Sequence, residues 1–193
     1  MEVFRRAGRF YRQTFLIFGG SLLGSFFAGI VLGGGSMTSA MEKVPGILLI
    51  IPAFLATRGN VYGAMGARIA TALHQGLIEP RFAENPRLMN ALKSSLINGT
   101  LASGFIGVAG WSLLQALGRN VAPFWMFVSI LVVSGVISAV FMSVILVHLL
   151  FLGYRRGIDP DVLSGPLITS IGDFLGMFIL FFSIVGVRWL FGV

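Results

Sequence analysis

Apolar residues in this chain come in long blocks rather than in alternation with polar ones. Blocks near 14–34, 44–74, 94–117, 121–153 and 164–190 each run long enough to cross a bilayer, given that a span takes roughly 20 residues at about 1.5 Å each. They are too long and continuous for barrel strands. Hydrocarbon offers no water to satisfy backbone groups, so each block is expected to be a helix. The predicted fold is an all-α membrane protein, a bundle of five transmembrane helices forming one domain over 1–193 with no separate soluble domain.

Interruptions inside the blocks refine this picture. The second block would extend about 46 Å against a hydrocarbon core of about 30 Å, so it must tilt, project or break. Pro45 and Pro52 each lack a backbone donor, and Gly59 precedes Asn60, which predicts a break in "IPAFLATRGNVYGAMGARIA". The fourth block also overshoots, and its Gly153–Gly157 end is expected to leave the membrane. Small residues recur at helical spacing: Gly20, Gly24 and Ala28; Gly59, Gly63, Gly66 and Ala70; Gly99, Ser103, Gly107 and Gly110. Such stripes let helix backbones approach closely in lipid. "RFAENPRL" and "GRNVAP" read as connections, and "GGGSMTSAMEKVPG" as a short interfacial turn.

Composition agrees with the pattern: 56% of residues are hydrophobic and 11% charged, with a mean hydropathy of +0.91. The chain has no cysteine, so disulfides and thiolate metal sites are excluded. Its net charge of +7 is unevenly placed. Arg5, Arg6, Arg9, Arg12, Arg81, Arg87, Lys93, Arg155 and Arg156 fall on one side of an alternating five-helix bundle, against Lys43, Arg119 and Arg188 on the other. The positive-inside rule then makes the N-terminus cytoplasmic. Insertion beside anionic lipid accounts for the charge, and no nucleic-acid partner is expected. The first block exceeds the 7–15 residues of a signal peptide core and is read as a retained helix.

One residue does not belong in this pattern. Asp173 lies in the middle of "SGPLITSIGDFLGMFILFF", while the other acidic residues fall in loops, at helix ends or in the N-terminal tail. A carboxylate at a helix centre costs about 2.5–3.5 kcal/mol on insertion scales, so it requires a partner or a purpose. Thr169 and Pro166 share its helical face, and Pro166 frees a carbonyl one turn back. An oxygen-lined stripe of this kind suits a hard cation. One carboxylate cannot enclose a divalent ion, but a two-fold axis beside this helix would supply a second. Mg2+ fits best, because it is commonly held by one or two carboxylates with waters still attached. The competing reading makes Asp173 a buried partner of Arg58 or Arg68. Asn60 offers an amide oxygen to a hydrated ion or a hydrogen bond to a neighbouring helix, and both uses remain open. His148, without a second ligand nearby, reads as a helix-interface histidine. No catalytic triad, HExxH, phosphate loop or second intramembrane aspartate is present. An enzyme is therefore not expected, nor a small organic substrate.

Two segments carry a family resemblance. "IPAFLATRGNVYGAMGARIATALHQG" is similar to the second transmembrane helix of MgtE-type magnesium channels and the related animal magnesium solute carriers, with Pro, five residues, Gly-Asn and a later Arg-Ile-x-Thr. "GIDPDVLSGPLITSIGDFLG" resembles that family's loop before helix 5 and the helix itself. The resemblance implies Mg2+ transport through a homodimer of five-helix chains, with the ion path along the two-fold axis. It makes Asp173 the metal ligand and places Asn60, Gly165, Pro166 and Thr169 along the pore. It departs from the channels in one respect: only about a dozen residues precede helix 1, so gating by the family's cytoplasmic sensor domain is not expected. The animal carriers fuse two such units, and this single unit resembles a half that pairs with itself.

The expectation is thus a multi-pass plasma or inner membrane protein that moves Mg2+ as a homodimer, with Arg58 and Arg68 as a gate or as charge partners of Asp173. The alternatives are another divalent ion such as Mn2+, Co2+ or Zn2+, and a membrane assembly protein that transports nothing. Oxygen donors without cysteine argue against the softer metals.

Overall fold

The computed structural model describes residues 2–82 and 85–192, and excludes the side chains of residues 2–10, 12, 13, 16, 162, 166 and 167. Arg5, Arg6, Arg9 and Arg12, on which part of the charge asymmetry rests, therefore have side chains outside the described residues. Among the described residues seven helices follow in order: α1 (Glu2–Gly33), α2 (Gly35–Glu42), α3 (Ile47–His74), α4 (Pro86–Ala116), α5 (Phe124–Arg155), α6 (Pro160–Ser164) and α7 (Pro166–Phe191). The described residues include no strand. Four of the helices are long and apolar enough to cross a bilayer; α1 with α2, bent by 56° at Gly34, makes a fifth span if the pair counts as one.

Three boundaries differ from the sequence reading. The second block does not break at Gly59: α3 is continuous from Ile47 to His74, with Pro52 inside it and Pro45 before it. Pro52 lies in the second turn and removes one ladder bond, while Ile50, Ile51 and Phe54 around it are buried and hold the helix in place. Gly59 is supported from α7, where a Cβ on it would lie 3.6 Å from Thr169 Cγ2. Secondly, α4 starts at Pro86 rather than near 94. Asn85 caps it, its Oδ1 accepting from Arg87 N at 2.9 Å and Leu88 N at 3.3 Å. Proline then stands at N1, where its missing donor is harmless. Thirdly, the segment read as an interfacial turn contains the two-turn helix α2. Its exit uses Gly46 at φ 87°, where a Cβ would lie 3.2 Å from Val121 Cγ1, a conformation that favours glycine.

The small-residue stripe of α4 lies where its spacing implies. Gly99, Ser103, Gly107 and Gly110 are all buried. A Cβ on Gly107 would lie 3.4 Å from Val128 Cα, and one on Gly110 2.7 Å from Ile50 Cδ1. At Gly135 of α5 the added atom would collide with the Ser103 side chain. In α1, a Cβ on Gly24 would lie 2.8 Å from Ser170 Cβ of α7, and Ser21 hydrogen-bonds Ser170. Of the α3 stripe, a Cβ on Gly66 would lie 3.0 Å from Ser164 Cβ, whereas one on Gly63 would meet open space.

Helix α5 packs on α3, α4, α6 and α7, and two apolar clusters form along it. One gathers Val44, Phe54, Phe127, Ile130 and Ile184; the other gathers Tyr62, Ile69, Leu146, Leu150 and Ile168. Between them runs a polar layer. Arg58 on α3, Ser103 on α4, and Ser134 and Ser138 on α5 are all buried there. Asp173 falls at the same level on α7, between Ile168 of one cluster and Met177 of the other.

This packing gives a stability test. Gly135→Val forces α4 and α5 apart at Ser103 and should cost about 1–3 kcal/mol. Gly104→Ala, whose new methyl would lie 3.7 Å from Val132 Cγ2, should be neutral or slightly stabilising. Thermal unfolding in detergent reads both, and equal midpoints would mean that α4 and α5 do not meet in this way.

Candidate functional site

Asp173 sits in the third turn of α7, after a chain break that determines how this helix begins. Asp159 caps α6, its side chain accepting from Asp161 N at 2.9 Å. The helix ends at Ser164, and Gly165 at φ −90°, ψ −90° turns the chain before Pro166 opens α7. Gly165 O then accepts both Thr169 N at 3.1 Å and Thr169 Oγ1 at 3.0 Å. Gly165 and Thr169 are exposed and Asp173 is half-buried. The Pro166 backbone is the first residue of α7, and its side chain lies outside the described residues. Asp173 thus ends a short stripe of oxygen atoms running from the break toward the middle of the helix.

Among the described residues, Arg58 is the cation placed close to this carboxylate. Its side chain is buried, 4% exposed, with Cζ 3.9 Å from the centroid of Phe54. Nη2 donates to Ser134 Oγ at 3.1 Å and more weakly to Ser134 O at 3.4 Å. Nη1 occupies the hollow left by Gly176, so close that a Cβ there would overlap it. Nε and Nη1 have no hydrogen-bond partner. The Gly176 contact places the Arg58 guanidinium and Asp173 about one helical turn apart along α7. They make no ion pair within 4.0 Å: the described pairs join His74 to Asp159 and Asp161, and Arg81 to Glu79.

The other expected residues divide between two surfaces. Gly59 follows Arg58 on α3 and abuts Thr169 of α7, whereas Asn60, the next residue, turns to the α3–α4 side. Asn60 is exposed and borders a hollow of about 520 Å³ with Ser95, Asn98 and Arg68. Arg68 is also exposed and reaches a second hollow of about 560 Å³, beside Thr71 and Arg87. The structure therefore brings Arg58 to Asp173 and leaves Arg68 away from it on the α3–α4 surface.

Some groupings were not read from the sequence. Phe54 lies one turn before Arg58, so the cation–ring contact was available as an i, i+4 pair. Ser134 comes from 76 positions away and carried no local signal. His74 Nε2 approaches Asp159 Oδ1 at 3.4 Å and Asp161 Oδ2 at 3.7 Å, joining the end of α3 to the start of α6 on an exposed edge. His148 is exposed rather than held between helices. Its Nδ1 lies 2.9 Å from Val144 O in its own helix, and Phe82 packs on its ring.

Comparison with known proteins identifies the family. Residues 51–183 match the MgtE family, described as divalent cation transporters. The matched segment contains α4, α5, α6 and most of α3 and α7, with Asn60, Arg58 and Asp173 inside it. Solute carrier family 41 member 2 from Homo sapiens is 24% identical over 162 residues, covering 81% of this chain and 28% of that protein. Solute carrier family 41 member 3 from Rattus norvegicus is 25% identical over 162 residues, covering 82% of this chain and 35% of that protein. The mouse member 3 protein is 24% identical over 181 residues, covering 88% and 37%. The chain thus spans about a third of the length of these relatives. With apolar helices able to span a membrane and a family match over most of its length, the chain is a multi-pass membrane protein belonging to the MgtE family of divalent cation transporters.

Proposed function

We propose that this chain transports Mg2+ across the plasma or inner membrane as a homodimer, with its N-terminus cytoplasmic and the Asp173 carboxylates of both chains at the central ion site. The observation that carries the reading is a half-buried carboxylate within an apolar helix, in register with exposed oxygen donors and without an ion-pair partner. A charge left so in hydrocarbon is costly. A second copy of the same face, with a divalent ion between the two, offsets that cost.

The donor chemistry favours Mg2+ among the candidates. Carboxylate, hydroxyl and carbonyl oxygens line the stripe, and Mg2+ is held by few protein oxygens while keeping several waters. Mn2+, Co2+ and Zn2+ gain more from imidazole or thiolate, and no such group lies beside Asp173. In this arrangement Gly165, Pro166, Thr169 and Asn60 border the ion path, with carbonyl, hydroxyl and amide groups able to hydrogen-bond the ion's waters. Divalent cation transport is the activity described for the family, and the narrower assignment to Mg2+ rests on this donor set.

Two measurements test the proposal. In proteoliposomes, wild-type protein should take up Mg2+, and Asp173→Asn should reduce uptake by more than about tenfold, the change that roughly 1.4 kcal/mol of lost attraction produces. Undiminished uptake would remove Asp173 from the site. Competition by Mn2+, Co2+ and Zn2+ in the same vesicles decides the cargo, and stronger uptake of one of these would replace Mg2+. The absence of cysteine makes the dimer equally direct to test. Thr169→Cys should cross-link into a two-chain product under mild oxidation, whereas Val144→Cys, exposed on α5, should remain a single chain. Cross-linking at Val144 alone would place the interface elsewhere.

A further inference from the structure

Arg58 poses a separate problem. Burying a guanidinium in the membrane interior is costly, yet this one has two donor atoms, Nε and Nη1, without partners. What holds it is a ring face and one serine: Phe54 at 3.9 Å and Ser134 at 3.1 Å. Cation–ring attraction and a single hydrogen bond satisfy part of its bonding capacity. The unsatisfied side faces α7, because Nη1 occupies the Gly176 hollow. Gly176 lies three residues after Asp173, on the same side of α7 and about 5 Å along the axis. The orphaned donors and the unpaired carboxylate are therefore one helical turn apart.

We propose that Arg58 is a tethered cation that competes with the transported ion for Asp173, pairing with the carboxylate when the site is empty and withdrawing onto Phe54 and Ser134 when a divalent ion arrives. This rests on the reading of Asp173 as an ion ligand. Charge counting supports it. In a dimer, two aspartates and two arginines sum to zero before the ion arrives, so the empty site need not hold uncompensated charge in hydrocarbon. With the ion bound, the carboxylates are neutralised by the metal, and the guanidiniums retain a ring and a hydroxyl to rest on. Their positive charge then favours departure of the ion. A transport site needs this property, since binding must be weak enough to release. Gly176 is what admits the guanidinium to α7, because any side chain there would exclude it.

The test is a double-mutant cycle on the full chain in detergent, using Arg58→Met, Asp173→Asn and the double variant. Thermal midpoints are measured in chelator and again in saturating Mg2+. In chelator the double variant should lose less than the sum of the two single losses, the mark of residues that interact, and Mg2+ should abolish that difference. Additive losses in chelator overturn the proposal. Coupling that persists unchanged in Mg2+ overturns the exchange: if wild-type vesicles take up Mg2+, it alone fails, and if they do not, the transport reading fails with it. A second variant keeps the test open should Arg58→Met not fold. Gly176→Ala leaves both charges in the chain but pushes the guanidinium off α7. It should lower the half-saturating Mg2+ concentration for uptake by about threefold to tenfold, as removal of a nearby repelling charge implies, with Arg58→Lys closer to wild type. An unchanged half-saturation in Gly176→Ala overturns the competition.

Discussion

Hydrocarbon cannot hydrogen-bond, so every backbone polar group in a span must be satisfied within the protein, and buried polar side chains gain by gathering together. That constraint organises the middle of the molecule. Arg58, Ser103, Ser134 and Ser138 are drawn to one level between two apolar clusters rather than scattered along the helices. Arg58 meets Ser134 across α3 and α5, and the small side chains of α4 and α5 leave the room that a guanidinium needs. Asp173 reaches the same level from α7. The buried guanidinium and the half-buried carboxylate are thereby held near each other by apolar packing above and below, not by a direct ion pair.

Close approach of the helices follows from a second consequence of the same solvent. Lipid competes with side chains for apolar contact, so helices gain from meeting at small residues. The α4 stripe illustrates this at each step: Gly99 admits the Tyr62 hydroxyl end, Gly107 the backbone of α5 and Gly110 the Ile50 side chain. Gly176 belongs to the same class but admits a charged group instead of an apolar one. The packing device and the chemistry of the site therefore use one kind of residue.

Much of this was legible in the sequence because membrane helices are written in long runs. The blocks, the stripe of α4 and the isolation of Asp173 depend on spacing within one helix, which a sequence displays directly. The second block was misread at Gly59 because a glycine weakens a helix only when nothing packs on it, and Thr169 comes from a distant part of the chain. The α4 boundary lies earlier than the pattern places it because "RFAENPRL" reads as a connection, although its Asn85 and Pro86 make a cap and a first turn. Arg58 and Arg68 looked equivalent as partners for Asp173. Only the rotation of α3 against α5 and α7, set by tertiary packing, separates the buried arginine from the exposed one.

The length of α3 has its own consequence. At 28 residues it extends about 42 Å, some 12 Å more than the hydrocarbon is thick. His74 at its end meets Asp159 and Asp161 from the start of α6, all three exposed. An imidazole and two carboxylates belong in water, so they fix where the aqueous boundary crosses the bundle: below the last turn of α3 and above the Gly165 break. The helix that carries Arg58 is thus anchored at that end by solvation. Its buried residues keep their depth through the water-loving groups at its tip, as a float holds a line at a set level.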